Sequence, residues 1–200
     1  MRVIRLFWLS LSLLAVHPLS YAETNVSVFA GYRSGGEFEE TDTGQKLRID
    51  DEQSLGISIS APYTKNTKLE FVYSHQESRL SSDTAPEDVL IDLDIDYFHI
   101  GGLYTWPSER VEPYIVGTLG ATYYNPSGGY DDEFRPSIGF GLGSFVYLTK
   151  NLGLKFEARG YTTMLDSGGA AFCGDSGCRI IAASSTLWQS ELQAGLSLRF

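Results

Sequence analysis

From Thr24 onward the chain alternates apolar and polar residues with a period of two. That is the signature of strands with two unlike faces. Eight segments carry it: Thr24–Arg33, Glu52–Ala61, Thr67–Glu77, Ile91–Thr105, Pro113–Tyr124, Arg135–Leu148, Leu152–Thr163 and Leu187–Phe200. In the third, Leu69, Phe71 and Tyr73 oppose Glu70, Ser74 and Gln76; in the fourth, Ile91, Leu93, Ile95, Tyr97 and Leu103 oppose Asp92, Asp94 and Asp96. In the seventh, Leu154, Phe156 and Ala158 oppose Lys155, Glu157 and Arg159, and the eighth sets Leu192, Ala194, Leu196 and Leu198 against Glu191, Gln193 and Arg199.

The connections alternate long and short. Ser34–Asp51, Ser78–Leu90, Asn125–Phe134 and Met164–Thr186 are long; Pro62–Asn66, Trp106–Glu112 and Thr149–Asn151 are short. An even strand count with tight turns at one end and extended loops at the other predicts an all-β chain. The fold is an eight-stranded antiparallel up-and-down transmembrane β-barrel. A soluble barrel would turn its apolar face inward, but eight strands enclose too narrow a bore for so many Leu, Ile, Phe, Tyr and Trp side chains. The charged face is therefore expected inside, where opposite charges can pair, and the aliphatic face outside. On this parity Gly139, Gly141 and Gly143 face a crowded lumen. Tyr32, Tyr73, Tyr161 and Trp188 form one aromatic girdle; Tyr63, Trp106, Tyr114, Tyr147 and Phe200 form the other. Phe29, Phe98, Leu119 and Phe145 fall on the inward side and His99 on the outward side, the last with no rationale.

The N-terminus does not join this pattern. Arg2 and Arg5 precede an apolar run from Leu6 to Val16 and a small-residue site at Ser20-Tyr21-Ala22. Residues 1–22 are expected to be a secretory signal peptide, and 23–200 a single barrel domain. The run is shorter than the roughly 20 residues a spanning helix needs. Losing Arg2 and Arg5 takes the formal net charge from −10 to −12, which disfavours nucleic acid as a partner. Cys173 and Cys178 flank Gly-Asp-Ser-Gly. In an exported chain that spacing favours a small disulfide loop over a metal site or free thiols, since no His lies beside the pair.

The last strand, Glu191-Leu-Gln-Ala-Gly-Leu-Ser-Leu-Arg-Phe200, resembles the C-terminal signal by which outer-membrane barrels are recognised by their assembly machinery, with Leu196, Leu198 and Phe200 as its apolar positions. Pro113–Gly120, Gly139–Gly143 and Leu152–Arg159 are similar to strands five to seven of the small OmpA/OmpX/OmpW-like barrels. The resemblance spans essentially the whole of residues 23–200. It implies a monomer in the Gram-negative outer membrane, contacting lipid and lipopolysaccharide, with both termini periplasmic. It does not specify a function, because that superfamily's functions are diverse.

Candidate chemistry is sparse. Only His75 and His99 remain in 23–200. Ser74 is adjacent to His75 and so points to the opposite face, which argues against an enzyme, including a lipid-modifying barrel. Glu70, Lys155, Glu157, Arg159, Glu191 and Arg199 are expected to form a lumen ion-pair network that plugs the bore; the same network could instead gate a narrow pore. Asp92, Asp94 and Asp96 form an inward ladder that could contact a cation, although ion pairing or solvation suits them better because flanking ligands are missing. No metal or cofactor is predicted. The loops carry Glu37, Glu39, Glu40, Asp42, Asp50, Asp51, Asp131, Asp132 and Glu133. The expectation is a non-enzymatic structural or surface-interaction protein working through loops whose ligand is unknown. The alternative is a porin-like channel for small solutes or hydrophobic molecules.

Overall fold

The computed structural model describes residues 24–39, 46–82, 85–128, 130–165, 170–174, 177–181 and 186–200, with the backbone alone at 38, 39, 46, 85–90, 170–174 and 177–181. The described residues form strands β1 (Asn25–Gly35), β2 (Glu37–Glu39), β3 (Lys46–Ile49), β4 (Glu52–Thr64), β5 (Thr67–Ser82), β6 (Ala85–Thr105), β7 (Val111–Pro126), β8 (Glu133–Tyr147), β9 (Leu152–Met164), β10 (Ala170–Gly174), β11 (Gly177–Ile181) and β12 (Thr186–Arg199). Eight of them close an antiparallel ring in the order β1, β4, β5, β6, β7, β8, β9, β12 and back to β1. Closure removes every edge within the membrane, where an unpaired backbone amide has no water to turn to.

The eight alternating segments coincide with the eight ring strands. Three long connections differ from expectation, the last of the four, Met164–Thr186, by carrying the β10–β11 hairpin. Ser78–Leu90, read as loop, is mostly strand: β5 continues to Ser82 and β6 begins at Ala85. The first long connection contains the β2–β3 hairpin, and β3 pairs onto the end of β5. One side of the barrel is thus a wall rising well past the other. The signal-peptide residues, Glu40 and Asp42 lie outside the described residues.

The outer face is an apolar belt. Val28, Leu55, Ile59, Ile100, Leu142 and Leu192 are among its exposed residues. On β1, β4, β5, β8, β9 and β12 the inward face is the polar one, as the sequence predicts. On β6 and β7 the expected orientation is reversed. Ile91, Leu93, Ile95, Tyr97 and His99 are buried inside, whereas Asp92, Asp94, Asp96 and Phe98 lie on the outer face. Tyr114, Val116 and Thr118 also point inward and Leu119 outward. Tyr147 and Tyr161, placed in girdles by the sequence reading, are lumen residues too.

The reason is length. A tilted strand crosses the bilayer in about 9–11 residues, but β6 has 21. Its Asp-bearing half belongs to the tall wall beyond the apolar belt, where the outer face meets water and the soluble-sheet rule of apolar inside holds. Leu47, Ile49, Leu80, Ile91, Leu93 and Ile95 form an apolar core there with Tyr97, Tyr124, Tyr161 and Leu187. Since the face parity of a continuous strand cannot change midway, this half forces His99 inward and Phe98 outward in the spanning half.

Candidate functional site

Above an open mouth at the turn end, buried side chains fill the bore. Its side chains come in layers that follow from parity along each strand. At mid-height, β5 contributes Glu70 and β9 contributes Lys155, Glu157 and Arg159, all with fully buried side chains. Lys155 Nζ lies 3.2 Å from Glu70 and 3.3 Å from Glu157, and Arg159 donates to Glu70 at 2.6 Å. Arg159 also donates to Glu157, which accepts further bonds from Tyr114 (2.6 Å) and Gln193 (2.6 Å). Gly143 makes this possible, because a Cβ there would lie 2.5 Å from the Tyr114 hydroxyl.

One layer toward the loop end, Arg33 pairs with Glu191 (3.4 Å), and Glu191 accepts from Ser54, Ser74 and Tyr161. The Arg33 guanidinium also lies 4.6 Å from the Tyr97 ring, which stacks on Tyr161 at 4.1 Å. Above this sits the apolar core of the tall wall. One layer toward the turn end, Lys68 pairs with Glu112 (2.9 Å), and Tyr147 donates to the same carboxylate (2.8 Å).

The buried charges balance. Arg33, Lys68, Lys155 and Arg159 face Glu70, Glu112, Glu157 and Glu191, four against four among the described residues. Desolvation of an ion costs several kcal/mol unless a partner and hydrogen bonds replace the water; here every charge has a charged partner and at least one hydrogen bond, and of the buried cation nitrogens only Arg33 Nε and Arg159 Nη1 lack one among the described residues. Of the residues expected to form this network, five are in it: Glu70, Lys155, Glu157, Arg159 and Glu191. Arg199 is not. It lies at the turn-end mouth, stacked 3.9 Å over Tyr147 and donating to the Lys150 carbonyl. Arg33, Lys68 and Glu112 were missed because they sit at strand ends, although Arg33 and Lys68 share the inward parity of their strands.

The remaining candidates lie apart. Asp96 accepts from Tyr73 (2.8 Å) and contacts His75 (2.8 Å) on the outer face of the wall. Among the described residues no group of His, Cys, Asp and Glu has metal-binding geometry. His99 contacts Ser137 (2.9 Å) and Thr118 (3.0 Å) deep inside the wall of the lumen. Among the described residues the second ring nitrogen meets the Thr118 hydroxyl and not a carboxylate, and His99 is buried. At the loop rim Asp50 pairs with Arg79 (3.5 Å) and Asp51 with Arg48 (3.0 Å). In the β10–β11 hairpin the backbone register sets Cys173 opposite Cys178; their side chains lie outside the described residues. Leu196, Leu198 and Phe200 are exposed on the outer face of β12 at the turn end.

No protein-family model matches the chain, and no curated protein matches its sequence. Solved structures do match its shape. The crystal structure of Neisserial surface protein A is 16% identical, aligns over 88% of this chain and 97% of that one, and gives a TM-score of 0.58. The outer membrane protein OprG from Pseudomonas aeruginosa is 12% identical over 90% of this chain and 96% of that one, with a TM-score of 0.57. With an apolar belt outside, paired charges inside and a closed antiparallel ring of eight, the chain has the fold of the small outer-membrane β-barrels.

Proposed function

We propose that this is an outer-membrane protein with a closed bore, non-enzymatic, whose work is done at its loop end as a structural or surface-interaction protein. One observation carries the reading: three layers of balanced, desolvated ion pairs and an apolar core fill the bore where a channel would need water. The tight turns and both termini then face the periplasm, and the tall wall stands on the cell surface among lipopolysaccharide. The last strand serves the assembly machinery, and the barrel works as a monomer.

The tall wall supports a surface role. It continues the barrel beyond the belt as a sheet with its own core, a stable platform for loops. No catalytic role is proposed, since His75 faces solvent beside Asp96 and His99 is sealed. Single-channel recording in planar bilayers tests the closed bore. The expected result is no stable conductance step; reproducible steps from purified protein would favour the narrow channel instead.

A further inference from the structure

The turn end holds a cavity of about 1050 Å³ that opens outward from the Lys68–Glu112 layer and has Lys68, Glu112 and Tyr147 in its wall. Five of the chain's 15 Lys and Arg residues line it: Lys65, Lys68, Arg110, Lys150 and Arg199. Only two acids, Glu109 and Glu112, do so, and both Glu112 oxygens are already engaged by Lys68 (2.9 Å) and Tyr147 (2.8 Å). In a chain whose formal net charge is −10, this is a local reversal of sign. It is also systematic. Each of the three tight turns contributes one exposed cation, and the terminal strand contributes Arg199.

The cations and apolar groups are segregated at this rim. Tyr63, Trp106 and Phe200 are exposed outside the mouth, as residues anchored in a membrane interface are. The cations line the mouth. The cavity is blind, because Lys155, Glu70, Glu157 and Arg159 close the bore above it with no exposed side-chain surface. A concave, low-dielectric wall with an excess of one charge focuses its field and concentrates counter-ions. Two of the five cations are arginines, whose forked donors suit phosphate oxygens.

We infer that the turn-end mouth is a binding site for a multivalent phosphate-bearing anion, with Lys65, Arg110 and Lys150 as rim contacts and Arg199 at its wall. The site is independent of what the loops do and rests on the closed bore proposed above. The phosphate could belong to a soluble anion or to a phospholipid headgroup drawn in from the surrounding leaflet.

The test titrates tripolyphosphate into the full barrel in phosphatidylcholine nanodiscs by calorimetry. Saturable binding is expected. It should weaken as salt rises from about 0.1 M, where the screening length is about 10 Å, to 1 M, where it is about 3 Å. The triple variant K65Q/R110Q/K150Q should lose at least tenfold in affinity, while R79Q at the loop end should not. All four residues are exposed, so heat-modifiable gel mobility should report each variant folded, and K65R/K150R should bind as wild type does. Nanodiscs containing phosphatidylglycerol assign the source. Competition with tripolyphosphate identifies a headgroup, and undiminished binding identifies a soluble anion. Absence of saturable binding, or undiminished binding by the folded triple variant, would overturn the proposal.

Discussion

Glu70 is the most informative place to disturb the bore. Its side chain is fully buried and accepts from both Lys155 (3.2 Å) and Arg159 (2.6 Å). Glu70→Gln keeps the shape but leaves four buried cations against three anions. Removing one member of a buried ionic group costs about 3–5 kcal/mol, and losing two charge-assisted hydrogen bonds, each contributing about 1.5–3 kcal/mol, gives a similar figure. Lys155→Met alone should cost a comparable amount, for the opposite sign of imbalance. The double variant restores neutrality, so its cost should fall short of the sum by up to about 3 kcal/mol. Urea unfolding in detergent micelles, followed by the emission of Trp106 and Trp188 on the outer face, measures this. With a slope of about 2 kcal/mol/M, the midpoint of Glu70→Gln should drop by about 2 M. A loss below about 1 kcal/mol, or strict additivity in the double variant, would mean that water solvates these charges and that the bore is not sealed.

Three other outcomes follow from the same structure. Neutralising Asp92 and Asp94 together to Asn should change stability by less than about 1 kcal/mol, as for solvent-facing charges; a membrane-impermeant maleimide should label Asp92→Cys but not Leu93→Cys, and the reverse labelling would restore the inward ladder. Gly56→Ala should destabilise the barrel by about 1–3 kcal/mol, since its Cβ would lie 2.3 Å from the Phe29 ring and 2.5 Å from the Tyr73 carbonyl oxygen. Gly117→Ala, which meets nothing within 4 Å, serves as the control, and equal urea midpoints for the two variants would contradict the packing argument. The backbone register of Cys173 and Cys178 predicts a cross-strand bridge: neither thiol should react with iodoacetamide in protein purified without reductant until reductant is added, and ready alkylation without it would exclude the bond.

Period-two alternation and the long/short rhythm of connections were enough to place eight strands, their antiparallel order and the charged lumen, because alternation reports local geometry and a ring of eight admits one neighbour order. Lys155, Glu157 and Arg159 were legible for the same reason: three charges on one strand face have to be solvated or paired. Tertiary structure decided where the membrane stops. Alternation does not say which medium each face meets, and on β6 the half outside the bilayer is the more strongly patterned. Ile91, Leu93 and Ile95 look like a lipid-facing stripe, yet they pack with Leu80 of the neighbouring strand and with Leu47 and Leu187, residues far away in sequence. His99 acquired its role only when Thr118 and Ser137 came beside it. The pairing of Lys68 with Glu112, the departure of Arg199 to the mouth and the meeting of three turn cations likewise depend on closure of the ring, which brings the first and last strands together and which no local pattern encodes.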